Sequence, residues 1–207
     1  MAYRKVSAAH KAFVKSLNEI ERFDSYNQGM FSKNALNLSQ IRAFSESSLL
    51  LGYRAFESFV RDAFLLYASG KSTANGRKIS SYLAPKDADH AERMMKAGKP
   101  FLDWFGPESV VDRSELYLAT SSHLRTAFTA SSSSLKEIKH VRNHVAHNSS
   151  ESAAAFSRVL ISYHGVLPLS TPSVGEYLLL QSRTVVGTYV LRQYLGTLRN
   201  VALQVAG

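Results

Sequence analysis

Cysteine is absent from this chain of 207 residues. Its absence excludes disulfide bonds and thiolate metal sites, and it is typical of proteins from a reducing compartment. No apolar run approaches the roughly 20 residues of a membrane-spanning helix, and Lys11 and Lys15 interrupt the segment in which a signal peptide would need apolar residues. We therefore expect a cytoplasmic protein that is not inserted in a membrane.

Acidic residues are scarce relative to basic ones. The chain has 16 Asp and Glu against 25 Lys and Arg, which gives a formal net charge of +9 and an isoelectric point of about 9.8. A surplus of this size attracts polyanions through the long-range field of the protein. Nucleic acid is therefore the first candidate for a partner, ahead of an anionic membrane surface, and we expect no membrane partner.

Apolar residues recur at helical spacing along most of the chain, and no segment requires a β-strand. Asn27 and Gly29 predict the end of the first helix, and the aromatic residues of the second are predicted to pack in the core: Tyr53, Phe56 and Tyr67. The predicted helices cover residues 3–27, 38–68, 87–97, 114–130, 135–148, 150–163 and 178–201. Residues 70–112 are rich in helix breakers and predict an elaborated connection. We therefore expect one all-α domain over residues 1–207.

The segment LKEIKHVRNHVAHNSS, residues 135–150, concentrates the unusual polar residues. Helical spacing predicts a buried stripe of Leu135, Ile138, Val141 and Val145. The opposite side would carry His140, Asn143, His144 and His147. One interpretation is an ordinary solvated face, although histidine is a poor choice for that purpose. A second is a metal site of three histidines, but three ligands from one straight helix rarely close such a site. A third interpretation is a catalytic site.

The catalytic interpretation gains from a resemblance. IKHVRNHVAHNS resembles the signature of the HEPN superfamily, with Arg142, Asn143 and His147 in an R-N-x-x-x-H pattern. LLLGYRAFESFVRDAFLLY is similar to the second helix of these domains, and FLDWFGPESVVDRSELYLA to the segment that leads to the third. TPSVGEYLLL is similar to the C-terminal stretch of a prokaryotic branch found beside RNA-ligase-like and nucleotidyltransferase partners. The resemblance covers most of the chain from about residue 40 and implies a HEPN-type helical bundle with an elaborated loop between helices 2 and 3.

The resemblance implies a metal-independent endoribonuclease without a cofactor, of toxin or phage-defence type. In such a reaction the RNA 2′-hydroxyl attacks the phosphate, so the protein supplies an acid–base group and a fixed cation. His147 and Arg142 fit these two roles, and Asn143 can orient either group. Five residues correspond to roughly 140° around a regular helix, so either the helix distorts or two chains complete the site. HEPN ribonucleases are dimers whose motifs meet across a shared cleft, which implies a homodimer here.

Two further residues are candidates for a supporting role. His144 lies one turn before His147, and Glu57 could reach toward the motif from the second helix, although Arg54 and Arg61 also offer it surface ion pairs. No metal ligands are expected at this site.

Residues 71–99 hold seven basic side chains against three acidic ones. Loop solubility explains this surplus as well as RNA binding does. If the loop contacts the RNA backbone, the candidates are Arg77, Lys78, Lys96 and Lys99.

The chain departs from the branch in which a nucleotidyltransferase antitoxin modifies the toxin. That branch has Tyr two residues after the motif histidine, whereas this chain has Ser149. The control mechanism is therefore not carried over, although a cognate antitoxin or nucleotidyltransferase partner stays an expectation. The alternative function is a non-catalytic HEPN-like module that binds RNA or a partner and dimerises.

Overall fold

The structure, a computed structural model, describes residues 5–97, 101–119 and 122–207. Within these ranges the chain forms nine helices and no β-strand, so the fold is all-α as predicted. Extended pairing among these residues is confined to two isolated bridges, Ser81 with Leu118 and Gln181 with Tyr189. None of the helices in the described ranges has the length and apolar character needed to cross a membrane.

The helices differ widely in length, and the two longest come first. Their bounds are α1 (Val6–Ser32), α2 (Leu38–Ala68), α3 (Ala88–Lys96), α4 (Pro107–Tyr117), α5 (His123–Ala130), α6 (Ser132–His147), α7 (Ser150–His164), α8 (Val174–Leu179) and α9 (Val190–Ala206).

The chain divides into two compact units. Unit 1 comprises residues 1–15, 55–135 and 199–207, and unit 2 comprises residues 16–54 and 136–198. Helices α3, α4 and α5 belong to unit 1, whereas α7 and α8 belong to unit 2. That residues 1–207 form one domain remains a prediction, which this division into units does not test.

Unit 1 has an aromatic core around Phe56 on α2. The Phe56 ring meets the rings of Phe13, Phe105 and Phe128 at centroid distances of 6.0, 5.4 and 6.1 Å. Offset and edge-to-face contacts of this kind add to the burial of large apolar surfaces. Buried Tyr67 donates its hydroxyl to the Val205 carbonyl at 2.5 Å, which fastens the C-terminal end of α9 to α2. The prediction that these aromatic residues of the second helix pack in the core is confirmed.

Unit 2 holds α8 against the first half of α2. Arg42 pairs with Glu176 at 2.5 Å, and the Glu46 carboxylate accepts a hydrogen bond from the Gly175 backbone at 2.8 Å. Ser173 and Glu176 also form a reciprocal capping box at the start of α8. Polar contacts and a short capped helix therefore order a stretch whose sequence is rich in helix breakers.

Several predicted helix boundaries are wrong. Helix α1 continues through Asn27 and Gly29, and the elaborated connection predicted over residues 70–112 ends at residue 106, because α4 begins at Pro107. The single helix predicted over residues 114–130 is two helices, because α4 ends at Tyr117 and the Ser122 side chain caps α5. The last predicted helix, residues 178–201, begins only at Val190.

Gly175 on α8 lies against the backbone of α2. A Cβ atom at Gly175 would stand 2.6 Å from Arg42 Cβ and 2.8 Å from the Arg42 carbonyl oxygen. Because helix backbone must shift to make room, we expect Gly175→Ala to lower the free energy of unfolding by about 2 kcal/mol. Gly196 is the control, since nothing lies within 4 Å of its added Cβ, and alanine there favours α9 by about 1 kcal/mol. Urea unfolding measures both, and an unchanged midpoint for Gly175→Ala would contradict the close approach.

Candidate functional site

Helix α6 carries the polar cluster and is anchored by a buried apolar stripe. Leu135, Ile138 and Val141 are fully buried, as predicted, whereas Val145 is only half-buried. The helix starts at Ser132, within the serine run, and ends at His147. The buried stripe leaves the other faces of α6 available for polar side chains.

Arg142 is half-buried and held on two sides. Its guanidinium carbon lies 4.7 Å from the centroid of the Tyr53 ring, and its Nη1 donates to Asn143 Oδ1 at 3.0 Å. Tyr53 is 4% exposed, so it offers Arg142 a fixed aromatic face. A cation on such a face gains about 1 kcal/mol and loses rotational freedom. Tyr53 was predicted only as a core residue, and core spacing gave no signal for its contact with Arg142.

His147 is the last residue of α6 and its side chain is exposed. Among the described residues, its imidazole has no hydrogen bond or ion pair. Helix α6 is regular between Arg142 and His147, so the two side chains leave the helix roughly 140° apart. The distortion that would bring them onto one face does not occur, and a single α6 does not present both groups to one small ligand.

His144 faces α7. Its Nδ1 lies 3.2 Å from Ser152 Oγ, and its ring stacks on Phe156 with centroids 5.1 Å apart and an interplanar angle of 27°. Ser152 Oγ donates to the Ser149 carbonyl at 2.9 Å. The hydroxyl hydrogen is therefore already used, so His144 Nδ1 must be the donor to Ser152, and in the neutral ring Nε2 is the unprotonated nitrogen.

Glu137 anchors the first half of α6 to the tyrosines of unit 2. Tyr194 donates to Glu137 Oε1 at 2.6 Å, and the Tyr177 hydroxyl lies 2.9 Å from that of Tyr194. Burial raises the pKa of Tyr177 and of Tyr194, so both phenols stay protonated and can donate. This carboxylate was not singled out from the sequence, because a glutamate at one helical position gives no sign of distant tyrosine partners.

The predicted supporting residue Glu57 belongs to a different unit from the motif residues of α6. Glu57 is half-buried on the part of α2 that belongs to unit 1, whereas Arg142, Asn143, His144 and His147 belong to unit 2. Arg61, which the sequence offers as its ion-pair partner, binds Glu92 at 2.5 Å.

The loop cations belong to unit 1 and differ in their surroundings. Arg77 and Lys78 are exposed, and Lys78 lines a surface cavity of about 440 Å³. Lys96 pairs with Glu92 at 3.3 Å. Lys99 lies outside the described residues. Arg77 and Lys78 are therefore the two loop cations for which no ion pair is present within the described ranges of the chain.

If this loop contacts RNA, replacing both of its cations, Arg77→Gln with Lys78→Gln, is expected to weaken RNA binding. It should also reduce the slope of log affinity against log salt by about 1 to 2, since each lost phosphate contact contributes roughly 0.7 for single strands. The matched control removes two exposed cations of α1, Lys11→Gln with Lys15→Gln. Fluorescence anisotropy between low and moderate salt measures both. Equal slopes for the two double variants would remove this loop from the binding surface.

No group of three or more His, Cys, Asp or Glu side chains in the described part of the chain could hold a metal ion. Two of the three histidines of α6 have different surroundings: His144 binds Ser152, whereas His147 is exposed. The arrangement offers one constrained cation and one exposed imidazole on the same helix.

Compared with models of protein families, with curated proteins and with solved structures, the chain matches none.

Proposed function

We propose that this protein is a metal-independent endoribonuclease of HEPN type whose active site forms between two copies of the chain. The observation that carries the proposal is the contrast between Arg142 and His147 on α6. Arg142 is held by Tyr53 and Asn143, whereas His147 is exposed and unpaired among the described residues. A preorganised cation and an accessible imidazole are the two groups that cleavage by the 2′-hydroxyl requires.

The chemistry assigns each residue a role. A His147 imidazole takes the proton of the 2′-hydroxyl, whose oxygen attacks the adjacent phosphorus. The bond from phosphorus to the 5′-oxygen then breaks, and that oxygen receives a proton from an imidazolium. The products are a 2′,3′-cyclic phosphate and a 5′-hydroxyl. Arg142 stabilises the charge on the phosphorane oxygens, and Asn143 fixes the guanidinium through the 3.0 Å hydrogen bond.

The need for two copies follows from the helix geometry. On one regular helix the two groups point roughly 140° apart, so one chain brings at most one of them to a given phosphate. A twofold axis beside α6 duplicates both groups, and one His147 can then act as base while its counterpart acts as acid. The net charge of +9 supports RNA as the partner. A toxin or phage-defence role, with a cognate antitoxin or nucleotidyltransferase partner, is the biological part of the proposal.

The first test is the chemistry of the product ends. Purified protein incubated with RNA in excess EDTA is expected to produce fragments that end in 2′,3′-cyclic phosphate and begin with 5′-hydroxyl, which mass spectrometry identifies. Loss of cleavage in EDTA would contradict the metal-independent reaction. Intact RNA that is nevertheless bound at high protein concentration would support the non-catalytic module instead.

A further inference from the structure

The turn between α6 and α7 directly follows His147, and hydrogen bonds hold its backbone. Asn148 has a φ of 43°, a left-handed conformation that asparagine tolerates better than most residues. The Ser149 side chain accepts from the Ser152 backbone at 3.3 Å and caps α7. The His144 carbonyl accepts from the Asn148 backbone at 3.1 Å. His147 therefore sits at the last residue before a two-residue connection with fixed backbone geometry.

The side chain of His144 fastens this turn from the α6 side. Nδ1–H donates to Ser152 Oγ, which donates in turn to the Ser149 carbonyl, so a chain of two hydrogen bonds joins the imidazole to the backbone of the turn. Phe156, which is 1% exposed, supports the face of the ring. His144 thus contacts α7 by packing and by hydrogen bonding, one helical turn before His147.

The hydrogen bond of His144 does not depend on its charge. The donor is Nδ1–H, and this proton is present in the imidazolium and in the neutral tautomer that Ser152 selects. His144 is therefore tied to α7 through Nδ1, whereas the exposed imidazole of His147 has no hydrogen bond or ion pair among the described residues.

We propose that His144 is a positioning residue: through Ser152 and Ser149 it fixes the α6–α7 turn and thereby the direction in which His147 presents its imidazole. The expected effect of His144 on the rate of RNA cleavage rests on the proposed ribonuclease function. Its expected effect on the orientation of the His147 side chain does not rest on that function, because this orientation exists in the protein without RNA. A displacement of about 1 Å of an acid–base group is enough to lower a rate up to about a hundredfold.

Three variants test the proposal. His144→Phe keeps an aromatic ring against Phe156 and removes the donor, Ser152→Ala keeps the imidazole and removes the acceptor, and the third variant combines both. Each single variant is expected to lower kcat for RNA cleavage about 10-fold to 100-fold with KM nearly unchanged. The combined variant should be no worse than either single variant, because the two side chains act through one hydrogen bond.

A second readout is independent of RNA. The Cε1–Hε1 signal of His147 in the nuclear magnetic resonance spectrum of the RNA-free protein should move in both single variants, while the melting temperature shows that each remains folded. Suppose that the His147 signal moves in both single variants but the wild-type protein does not cleave RNA. This result would support the positioning role and overturn the ribonuclease proposal.

Two results would overturn the positioning role. One is cleavage with kcat and His147 signals unaltered in both single variants. The other is a much larger loss in His144→Phe than in Ser152→Ala with additive effects in the combined variant, since His144 would then contact RNA itself.

Discussion

Mixing two inactive variants, Arg142→Gln and His147→Asn, is expected to restore RNA cleavage. Each homodimer should lose about a thousandfold in kcat, one through the missing phosphorane cation and the other through the missing acid–base group. In the mixed dimer, one chain retains His147 and the other retains Arg142. If the two groups act across the twofold axis, this pair rebuilds one His147 facing one Arg142, but the second imidazole, which acts as the acid, is missing. Activity should therefore rise at least about tenfold above either homodimer and stay below that of the wild-type protein. Copurification of the two chains with different tags isolates the mixed dimer for the assay.

The control for this experiment concerns folding. His147 is exposed, so His147→Asn should leave the melting temperature unchanged. Arg142 packs on Tyr53, so Arg142→Gln should cost about 1 kcal/mol of stability without unfolding the protein. Two folded but inactive homodimers whose mixed dimer also stays inactive would contradict assembly of the site in trans. A protein that remains monomeric throughout would contradict the dimeric site altogether.

The helices that the sequence predicted well are those whose apolar spacing is long and uninterrupted. Helix α2 covers residues 38–68 as predicted, because its aromatic residues form one continuous buried stripe. Helix α1 passes through Asn27 and Gly29, two residues that favour a helix end. Asn27 is 4% exposed, so packing within the fold outweighs its local preference.

The helix boundaries that were predicted wrongly depend on contacts between residues distant in the sequence. Helix α8 forms in a stretch predicted as a break because Arg42 and Glu46 on α2 bind its first turn. The start of α9 is delayed to Val190 by the bridge between Gln181 and Tyr189. Neither contact has a local signature, so periodicity alone could not find them.

In the candidate site, too, features set by helical spacing could be predicted, whereas contacts between residues distant in the sequence could not. The sequence identified α6, its buried stripe and its row of polar residues, since all follow from helical spacing. It did not reveal that Tyr53 lies under Arg142, or that Ser152 binds His144. These contacts join residues on different helices, and they distinguish a constrained arginine and a constrained histidine from the exposed His147.

Asp24→Ala is expected to lower the free energy of unfolding by about 3 kcal/mol, the largest loss of stability among these predictions. Asp24 is 2% exposed, and its carboxylate accepts hydrogen bonds from Arg192 Nε at 2.6 Å and from the Tyr189 hydroxyl. Breaking a buried ion pair on one side typically costs about 3 to 5 kcal/mol, because the partner charge is left uncompensated. The lower end of this range applies to Asp24→Ala, because the Arg192 side chain remains 23% exposed.

The double variant Asp24→Ala with Arg192→Ala separates the ion pair from its surroundings. It should be less destabilised than the sum of the single variants by about 1.5 kcal/mol or more, because the second substitution removes the charge that the first leaves unpaired. Tyr189→Phe should cost only about 1 to 2 kcal/mol. Burial, followed by the hydrogen bond to Asp24, raises the pKa of Tyr189 to about 12, so near neutrality it is a protonated donor and not a second anion. Chemical denaturation of the wild-type protein, Asp24→Ala, Arg192→Ala and the double variant measures the free energy of unfolding of each. Additive losses would show that Asp24 and Arg192 stabilise unit 2 independently.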